Sequence, residues 1–361
     1  MNQQLSLQNA FNGKTVFLTG HTGFKGAWLT LLLHRLGAKV VGYSLAPKRN
    51  DDLYCTARID ELCTSIVDDV RNYSALKRAI EQSAPDIVIH MAAQALVLES
   101  YKQPVYTYDT NVMGTIHLLD GIRALTNPCA VLVVTTDKVY ENLETHEPYS
   151  ENDRLGGFDP YSNSKACAEL ATSSYRDSFF NSKTFDRHQK SVATARSGNV
   201  IGGGDWNENR LLPDVARALS ANRDIVVRNP DSVRPWQHVL DPLVGYLTLV
   251  ANMMNNPLGF NEAFNFGPDT EEEMTVKSLV ETAIKAWGTG TFTVQTDDDA
   301  PHEAKLLKLS IEKAKKQLGW EPLLPATEAV KWTIDWYKNA IGSERNYTLA
   351  QIDGYLKLMG E

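Results

Sequence analysis

Tyr161 and Lys165 are the residues of this chain whose types and spacing most clearly suit catalysis. Four residues is a little over one helical turn, so the phenol and the ammonium would share one helix face. A cation held beside a phenol favours the phenolate and lowers the tyrosine pKa, which would make Tyr161 a base near neutral pH. Because this spacing is common in helices, its meaning depends on the elements around it.

Gly20, Gly23 and Gly26 form a glycine-rich turn near the start of the chain. The apolar, β-branched residues 14–18 precede the turn, and the apolar residues 27–33 follow it. Strand, glycine turn and helix in this order let the backbone approach a pyrophosphate, whose charge then lies at the helix N-terminus. The spacing Gly-x-x-Gly-x-x-Gly differs from the usual Gly-x-Gly-x-x-Gly fingerprint, so an ordinary βα turn is the alternative.

Composition excludes several classes of protein. The chain has 361 residues, of which 43% are hydrophobic, so it can bury a large core and is expected to form about two domains. A net charge of −8 argues against a nucleic-acid partner. The four cysteines show no metal-binding spacing and no disulfide framework, so we expect no metal and a cytoplasmic location. Residues 1–12 lack a signal-peptide core, and no apolar run approaches a membrane span.

Alternating strand and helix patterns in the first half predict a parallel, doubly wound α/β sheet. The predicted strands are residues 15–18, 39–44, 65–68, 87–90, 131–135 and 192–196, and the predicted helices include residues 73–83, 111–125 and 161–180. After Arg196 the chain becomes richer in turns, which suggests a smaller, interleaved second domain. We predict a dinucleotide-binding domain at residues 1–196, to which residues 239–266 return, and a second domain at residues 197–238 and 267–361.

The predicted strand ends collect polar residues. Gly20, His90, Thr135 and Ser197 all lie at or just after the carboxyl end of a predicted strand. Ligands of open parallel sheets bind at these ends. One cleft could therefore bring these positions together with Tyr161.

Eight ordered motifs resemble the extended short-chain dehydrogenase/reductase superfamily, and within it the nucleotide-sugar 4,6-dehydratases. They are residues 19–26, 90–94, 111–115, 136–140, 161–165, 196–200, 234–239 and 264–267. The resemblance covers essentially the whole chain and is strongest to the branch that acts on CDP-glucose. It implies a Rossmann-like fold with a smaller C-terminal α/β domain for the nucleotide sugar, NAD as cofactor, and a homodimer or homotetramer.

The resemblance also implies site residues. For catalysis they are Thr136, Asp137, Lys138, Tyr161 and Lys165. For the cofactor they are Gly20, Thr22, Gly23, Phe24, Lys25, Gly26, Asp69, Ala92, Ala93, Gln94 and Thr135, with Tyr161 and Lys165. For the nucleotide sugar they are Asn199, Arg210, Arg234 and Asn265, although Arg234 could instead belong to a structural ion pair.

The implied reaction removes water from CDP-D-glucose and gives CDP-4-keto-6-deoxy-D-glucose, for the synthesis of deoxysugars of surface polysaccharides such as lipopolysaccharide O-antigen. Tyr161 would take the proton of the 4-hydroxyl as the C4 hydride passes to nicotinamide, and Thr136 would bind the C4 oxygen. Lys165 would hold the nicotinamide ribose. Lys138 would remove the C5 proton and Asp137 would protonate the departing 6-hydroxyl, after which the hydride returns to C6.

The end of the second predicted strand departs from the usual NAD pattern. NAD-binding members of this superfamily usually carry an acidic residue there, which binds the adenosine ribose. In this chain Ser44 stands near that place and Lys48 and Arg49 follow, so the residues alone leave NADP open. The resemblance favours NAD. Asp69 is the expected adenine contact, or alternatively a helix cap ahead of Tyr73.

Lys138 is the second departure, because related dehydratases usually have glutamate after the Thr-Asp pair. The resemblance to the CDP-glucose branch makes Lys138 the base, and a surface lysine is the alternative. Adjacent residues of a strand point to opposite faces, so the strand must end or twist if Asp137 and Lys138 are both to reach the sugar.

Two other functions stay open. A sugar 4-epimerase or 4-reductase of the same superfamily needs Tyr161 and Lys165 but has no use for an acid–base pair at Asp137 and Lys138. A non-catalytic dinucleotide-binding regulator has no reason to keep the set of Thr136, Tyr161 and Lys165. His21, His90 and His238 lack a nucleophile beside them and are interpreted as packing residues.

An oligomer is expected to form through two helices, as in extended members of this superfamily. The candidates are residues 111–125, with Val112, Ile116 and Leu119, and residues 161–180. These faces must also cover their own sheet in part.

Overall fold

The computed structural model describes residues 3–208, 210–269, 274–295 and 307–360. Its strands are β1 (Thr15–Thr19), β2 (Lys39–Ser44), β3 (Cys63–Val67), β4 (Ile87–His90), β5 (Cys129–Val134), β6 (Lys190–Ser197), β7 (Val200–Ile201), β8 (Ile225–Val227), β9 (Val233–Arg234), β10 (Gln237–His238), β11 (Ala263–Phe266), β12 (Met274–Thr275) and β13 (Phe292–Val294). Its helices are α1 (Gln3–Phe11), α2 (Phe24–Arg35), α3 (Leu53–Thr56), α4 (Tyr73–Ser83), α5 (Val97–Lys102), α6 (Pro104–Tyr108), α7 (Gly114–Arg123), α8 (Pro160–Ser178), α9 (Phe185–His188), α10 (Leu211–Ser220), α11 (Leu240–Asn255), α12 (Val276–Trp287), α13 (Glu312–Leu318), α14 (Ala326–Asn339) and α15 (Glu344–Leu358).

Seven strands form one sheet in the order β11-β6-β5-β4-β1-β2-β3. All neighbouring pairs in it are parallel. Every residue of β4, β5 and β6 is buried, as expected for strands that helices cover on both faces. The strand order reverses between β1 and β4, which is where ligands bind in doubly wound sheets. The predicted Rossmann-like α/β fold is confirmed.

The predicted elements lie close to those observed. The six predicted strands correspond to β1–β6, and their ends differ by at most two residues. The predicted helix 73–83 is α4, because Asn72 caps its start and Ala84 ends it in the left-handed conformation. The predicted helix 111–125 is divided, since a π-helical turn at Asp109–Met113 precedes α7.

Helices cover the two faces of the sheet through separate apolar clusters. Trp28 of α2 and Leu247 of α11 belong to the cluster on one face. Leu76 of α4 and Leu118 and Leu119 of α7 belong to the cluster on the other. Leu119 is fully buried, so the prediction that it contributes to an interface with a second copy is wrong. It packs against its own sheet.

The later part of the chain forms smaller elements. Strands pair as β7–β10, β9–β12 and β8–β13, and α10, α12 and α14 pack around a third apolar cluster. By contrast, α11 and β11 return to the large sheet, where β11 pairs with β6. The predicted domain limits stay a prediction, and residues 209, 270–273, 296–306 and 361 of the predicted second domain lie outside the described residues. Among the helices of the described ranges, none has the length and apolar character needed to cross a bilayer.

Asp241 ties α11 to the C-terminal elements. Its Oδ1 accepts hydrogen bonds from the backbone N–H of Leu323 at 2.8 Å and from the hydroxyl of Tyr355 at 2.7 Å. The side chain is fully buried, and this burial raises the pKa of Asp241 to about 6, although the hydrogen bonds oppose the shift.

Asp241→Asn is expected to stabilise the protein more at pH 8 than at pH 4. The folded-state pKa lies above the unfolded value of about 3.9, so the favourable contribution of this group is present below pH ~4 and lost as the pH rises through about 6. Asparagine keeps the accepting oxygen without the buried charge. The increase in the free energy of unfolding that the substitution causes, measured in urea, should therefore be about 1–3 kcal/mol larger at pH 8 than at pH 4. An equal change at both pH values would contradict this account.

Candidate active site

The strand β5 ends just before the proposed acid and base. Thr136 is extended, and Asp137–Val139 form one turn of 3-10 helix. The hydroxyl of Thr136 donates to Oδ1 of Asp137 at 2.9 Å and accepts the backbone N–H of Lys138 at 3.4 Å. Because the strand has ended, Asp137 and Lys138 are not forced to opposite faces of the sheet. The requirement that the strand end at this point is met, and the joint action of the two residues stays a prediction.

Asp137 is buried against the loop that follows β6. A Cβ atom at Gly198 would lie 1.9 Å from Oδ2 of Asp137, so no other residue fits there without moving the carboxylate. Lys138 is half-buried beside it. The sequence interpretation did not assign Gly198 to the site, and its position after Arg196 and Ser197 was the available signal.

Helix α8 carries Tyr161 and Lys165 toward the end of β5. Asp159 caps the helix by accepting the N–H of Ser162 at 3.0 Å, and Pro160 occupies the first helical position. Tyr161 is hydrogen-bonded to Thr136, and Nζ of Lys165 donates to the carbonyl of Val134 at 3.0 Å. The helix start thus places the phenol beside the Thr136 hydroxyl.

The electrostatics of Tyr161 differ from the sequence expectation. Burial raises the pKa of Tyr161 to about 12, and the hydrogen bond with Thr136 opposes this shift only in part. The ammonium of Lys165 is bound to the Val134 carbonyl, so the expected lowering of the tyrosine pKa is wrong for the protein alone. Burial and the charge of Lys25 lower the pKa of Lys165 itself to about 8.

Lys25 takes a position that the glycine-turn interpretation did not predict. Its Nζ donates to the hydroxyl of Tyr246 at 3.0 Å and to Oγ of Ser197 at 3.3 Å. The ammonium is therefore directed to the end of β6 and not to the glycine turn. Burial and the charge of Arg210 lower the pKa of Lys25 to about 7, while the charge of Asp137 opposes the shift.

The glycine turn fits a dinucleotide. A Cβ atom at Gly20 would lie 2.8 Å from the backbone nitrogen of Ala92, and one at Gly26 would lie 2.1 Å from the carbonyl oxygen of Gly20. Gly23 precedes α2 and provides no side-chain cap, so the first N–H groups of the helix lack a side-chain acceptor. A pyrophosphate is the natural partner of such a turn. Phe24 begins α2 and packs against the core.

The region expected to hold the adenosine is arranged by local contacts. The hydroxyl of Thr22 bonds to Oγ of Ser44 at 2.8 Å and donates to the carbonyl of Leu45 at 2.9 Å. Arg49 donates twice to Asp51, at 2.7 Å each, so its guanidinium is already engaged by a carboxylate.

Asp69 is not the cap of α4, so that alternative is wrong. It binds the guanidinium of Arg71, at 3.0 Å to Nε and 2.7 Å to a terminal nitrogen, while Asn72 caps the helix. Its predicted contact with adenine stays a prediction.

Two residues predicted to contact ligands use their side-chain amides within the protein, and their ligand contacts stay predictions. Asn265 is fully buried, and its amide binds the hydroxyl of Tyr140 and the carbonyls of Tyr149 and Ser310. The amide of Gln94 is likewise occupied, by Leu96 and Thr107.

These two side chains therefore hold loops in place, because their hydrogen-bonding atoms are used within the protein. Ala92 and Ala93 lie on the loop before Gln94, and the N–H of Ala92 donates to Oγ1 of Thr19 at 3.1 Å.

The remaining predicted substrate residues lie after β6. Asn199 adopts the left-handed conformation with φ of +41°. Arg210 pairs with Asp205 at 3.3 Å, and its charge acts on both Tyr161 and Lys25, so it faces the same site. Arg234 is half-buried on β9.

The histidines behave as packing residues. Nδ1 of His90 is 2.7 Å from Oγ1 of Thr19, and Nε2 of His21 is 2.8 Å from Oγ of Ser65. Burial lowers the pKa of His90 and of His238 to about 3 and that of His21 to about 4. Within the described part of the chain no group of three metal-ligating side chains occurs.

Comparisons with known proteins identify related sequences and similar folds. The profile of the GDP-mannose 4,6 dehydratase family matches residues 17–333. A CDP-glucose 4,6-dehydratase of Salmonella typhimurium is 45% identical over 337 residues, covering 93% of this chain and 94% of the relative. A dTDP-glucose 4,6-dehydratase of Streptomyces antibioticus is 30% identical over 255 residues, covering 70% of each.

Among solved structures, a dTDP-glucose 4,6-dehydratase of Streptomyces venezuelae with NAD bound superposes with a TM-score of 0.76. It shares 21% sequence identity and covers 92% of this chain and 99% of its own, which supports the fold. The chain belongs to the GDP-mannose 4,6-dehydratase family, a nucleotide-sugar branch of the short-chain dehydrogenase/reductase superfamily.

Proposed function

We propose that this protein is an NAD-dependent 4,6-dehydratase that converts CDP-D-glucose into CDP-4-keto-6-deoxy-D-glucose. The observation that supports the proposal is the 3-10 turn at Asp137–Val139, in which Asp137 accepts the hydroxyl of Thr136, the partner of Tyr161, and Lys138 is the next residue. The nucleotide is suggested by the Salmonella relative, whose name specifies CDP-glucose.

In this proposal each side chain has a defined role in the reaction. A bound nicotinamide would accept the hydride of C4 and return it to C6. Tyr161 removes the proton of the 4-hydroxyl, and Thr136 binds the same oxygen. The 4-ketone makes the C5 hydrogen acidic, so that Lys138 can remove it while a protonated Asp137 gives its proton to the 6-hydroxyl, which leaves as water. When the hydride returns to C6, the Lys138 ammonium gives a proton back to C5, and the proton that Tyr161 took from the 4-hydroxyl balances the one that Asp137 lost. Lys165, fixed by the Val134 carbonyl, holds the ribose next to nicotinamide.

NAD is proposed over NADP for two reasons. The solved relative from Streptomyces venezuelae contains NAD. In addition, the Arg49 guanidinium, which could have met a 2′-phosphate, is held in a two-pronged contact with Asp51. The glycine turn at Gly20, Gly23 and Gly26 would hold the pyrophosphate.

A 4-epimerase or 4-reductase is the second candidate, because those enzymes use the same Tyr161 and Lys165. They have no step for an acid and base at Asp137 and Lys138, and the burial of Asp137 against Gly198 is then unexplained. A dinucleotide-binding regulator would not need the set of Thr136, Tyr161 and Lys165.

A product assay tests the proposal. The protein with NAD is incubated with CDP-, dTDP-, UDP- and GDP-hexoses, and the ultraviolet absorbance of a 4-keto-6-deoxy sugar in alkali is recorded. We expect the signal with CDP-glucose. Epimerised or reduced sugar without this absorbance would favour the second candidate, and bound dinucleotide without turnover of any sugar would favour the regulator.

We also propose a homo-oligomer, either a dimer or a tetramer. Large apolar side chains are exposed on the segment before α7 and on α8, among them Val105 (81% exposed), Met113 (40%) and Leu170 (59%). A second copy of this surface would cover them. Light scattering at micromolar concentration should give at least twice the monomer mass of 40.2 kDa.

The matched variant for the oligomer is Leu170→Glu, which places a charge on the proposed contact without touching the core. It should lower the mass to that of a monomer, whereas Leu258→Glu, at another exposed leucine, should not. A monomeric wild-type protein would contradict the proposal.

The proposed setting is the cytoplasm, in the synthesis of deoxysugars for surface polysaccharides such as O-antigen. No nucleic-acid or membrane partner is proposed. All four cysteines are free thiols, which agrees with a reducing compartment.

A further inference from the structure

Glu169 is a buried carboxylate to which the proposed reaction gives no task. On α8 it follows Tyr161 and Lys165 at the same four-residue interval, so the three side chains form one row along the helix. Only 4% of its surface is exposed. A buried charge is costly unless other groups compensate for it, so its partners indicate its role.

Three side chains bind this carboxylate. Oε1 accepts the hydroxyl of Thr135 at 2.5 Å, and Oε2 accepts the hydroxyl of Thr194 at 2.7 Å and the guanidinium of Arg196 at 2.9 Å. Arg196 in turn donates to the hydroxyl of Tyr140 at 2.8 Å. Burial alone would raise the pKa of Glu169, but the charge of Arg196 and these hydrogen bonds together lower it, so the side chain stays ionised.

Two successive residues at the end of β5 are thus bound to two successive turns of α8. The Val134 carbonyl accepts from Lys165, and the Thr135 hydroxyl donates to Glu169. Thr136, which meets Tyr161, follows directly. The distance between these two reacting hydroxyls is therefore set by the pair of contacts immediately before Thr136.

We propose that Glu169 is a positioning residue of the dehydratase, which holds the chain segment carrying Thr136 against α8 and places a negative charge one helical turn from the ammonium of Lys165. The inference rests on the proposed function for its consequence in catalysis. Glu169 does not touch the sugar in this account and acts through Thr135 and Lys165.

The charged groups around Lys165 support the second part of this role. Burial lowers the pKa of Lys165, and the charge of Lys25 on α2 lowers it further, whereas the charge of Glu169 raises it. His90 of β4 also faces Lys165, and burial lowers its own pKa to about 3, so it is neutral. Around Glu169 lie Arg196 of β6 and, on α8, Arg176. Among these groups Glu169 supplies the negative charge.

The test variant is Glu169→Gln, which keeps an oxygen for the Thr135 hydroxyl but removes the charge. The alkaline limb of the kcat–pH profile should move to lower pH by about one unit or more, because Lys165 loses its proton earlier. The KM for the nucleotide sugar should stay within about twofold. Glu169→Asp should restore the alkaline limb of the profile to its wild-type position. Thr194→Val, which removes one neutral hydrogen bond from the same carboxylate, should not move this limb.

Glu169→Gln leaves the charge of Arg196 buried without its partner, which can unfold a protein. If this variant does not fold, the same measurements are made on the double variant Glu169→Gln with Arg196→Met, which buries no unpaired charge. A kcat that falls equally at every pH, with the limb in place, would overturn the proposal and leave Glu169 a structural residue.

The electrostatic effect of Glu169 on Lys165 can also be tested without turnover, by titrating Lys165. The titration can be followed by NMR of lysine labelled with ¹³C at Cε and identified with Lys165→Met. If the wild type dehydrates no nucleotide sugar, the proposed function fails, and a lower Lys165 pKa in Glu169→Gln still supports the electrostatic role. An unchanged Lys165 pKa overturns it.

Discussion

Tyr161→Phe is expected to lower kcat by about 10²- to 10⁴-fold and to leave the KM for CDP-glucose within a few-fold. The phenol is the only group of the proposed set that meets the 4-hydroxyl as a base, and the change removes one oxygen. Its hydroxyl bonds to Thr136, so the helix and its other contacts remain. The measurement is steady-state formation of the 4-keto-6-deoxy product.

Tyr108→Phe is the matched control, because Tyr108 also loses a hydroxyl that binds α8, through Asn163 at 2.8 Å, but lies outside the proposed catalytic set. It should change kcat by less than about threefold. A Tyr161→Phe enzyme with near wild-type kcat, or one that has lost the fold by circular dichroism, would contradict the role given to the phenol.

Lys138→Ala is expected to separate the two halves of the reaction. Oxidation at C4 needs Tyr161, Thr136 and Lys165, so the bound cofactor should still become reduced when substrate is added. Removal of the C5 proton should fall by about 10²- to 10⁴-fold, and water loss with it. Exchange of the C5 hydrogen in deuterated water, followed by NMR, measures the lost step directly.

Lys138→Arg distinguishes a base from a fixed positive charge. Arginine keeps the charge but is not deprotonated in proteins, so it cannot replace a lysine that accepts a proton. Both variants should therefore fail in C5 exchange. If Lys138→Arg retains most of the elimination, the lysine acts by its charge, and if Lys138→Ala retains it, the base is another group.

The fold could be predicted from the sequence because its signals are local. The run of apolar residues at 15–18, the glycine turn after it and the cap at Asn72 each act over a few residues, and β1, α2 and α4 lie where they indicate. The order of the motifs gave the family for the same reason. The ends of four of the six predicted strands differ from those observed by one or two residues, because pairing with a neighbouring strand decides where each strand begins and ends.

The details of the site depend on contacts between distant residues, which no local pattern contains. Lys25 turns toward Tyr246, a residue 221 positions later, and Asn265 is bound by Tyr140 across 125 positions. The pKa of Tyr161 was expected to fall beside Lys165, but burial raises it, and burial is a property of the whole fold. The shape of the turn at Asp137 likewise depends on Gly198.

Transfer of label from C4 to C6 tests the central claim most directly, namely that the protein is a redox-neutral dehydratase. CDP-glucose with deuterium at C4 is mixed with an equal amount of unlabelled substrate that carries ¹³C in the ring, and the product is analysed by mass spectrometry and NMR. The account predicts deuterium at C6 only in molecules without ¹³C, with no net consumption of NAD. Deuterium distributed over both populations, product without deuterium at C6, or consumption of dinucleotide in proportion to product would contradict it.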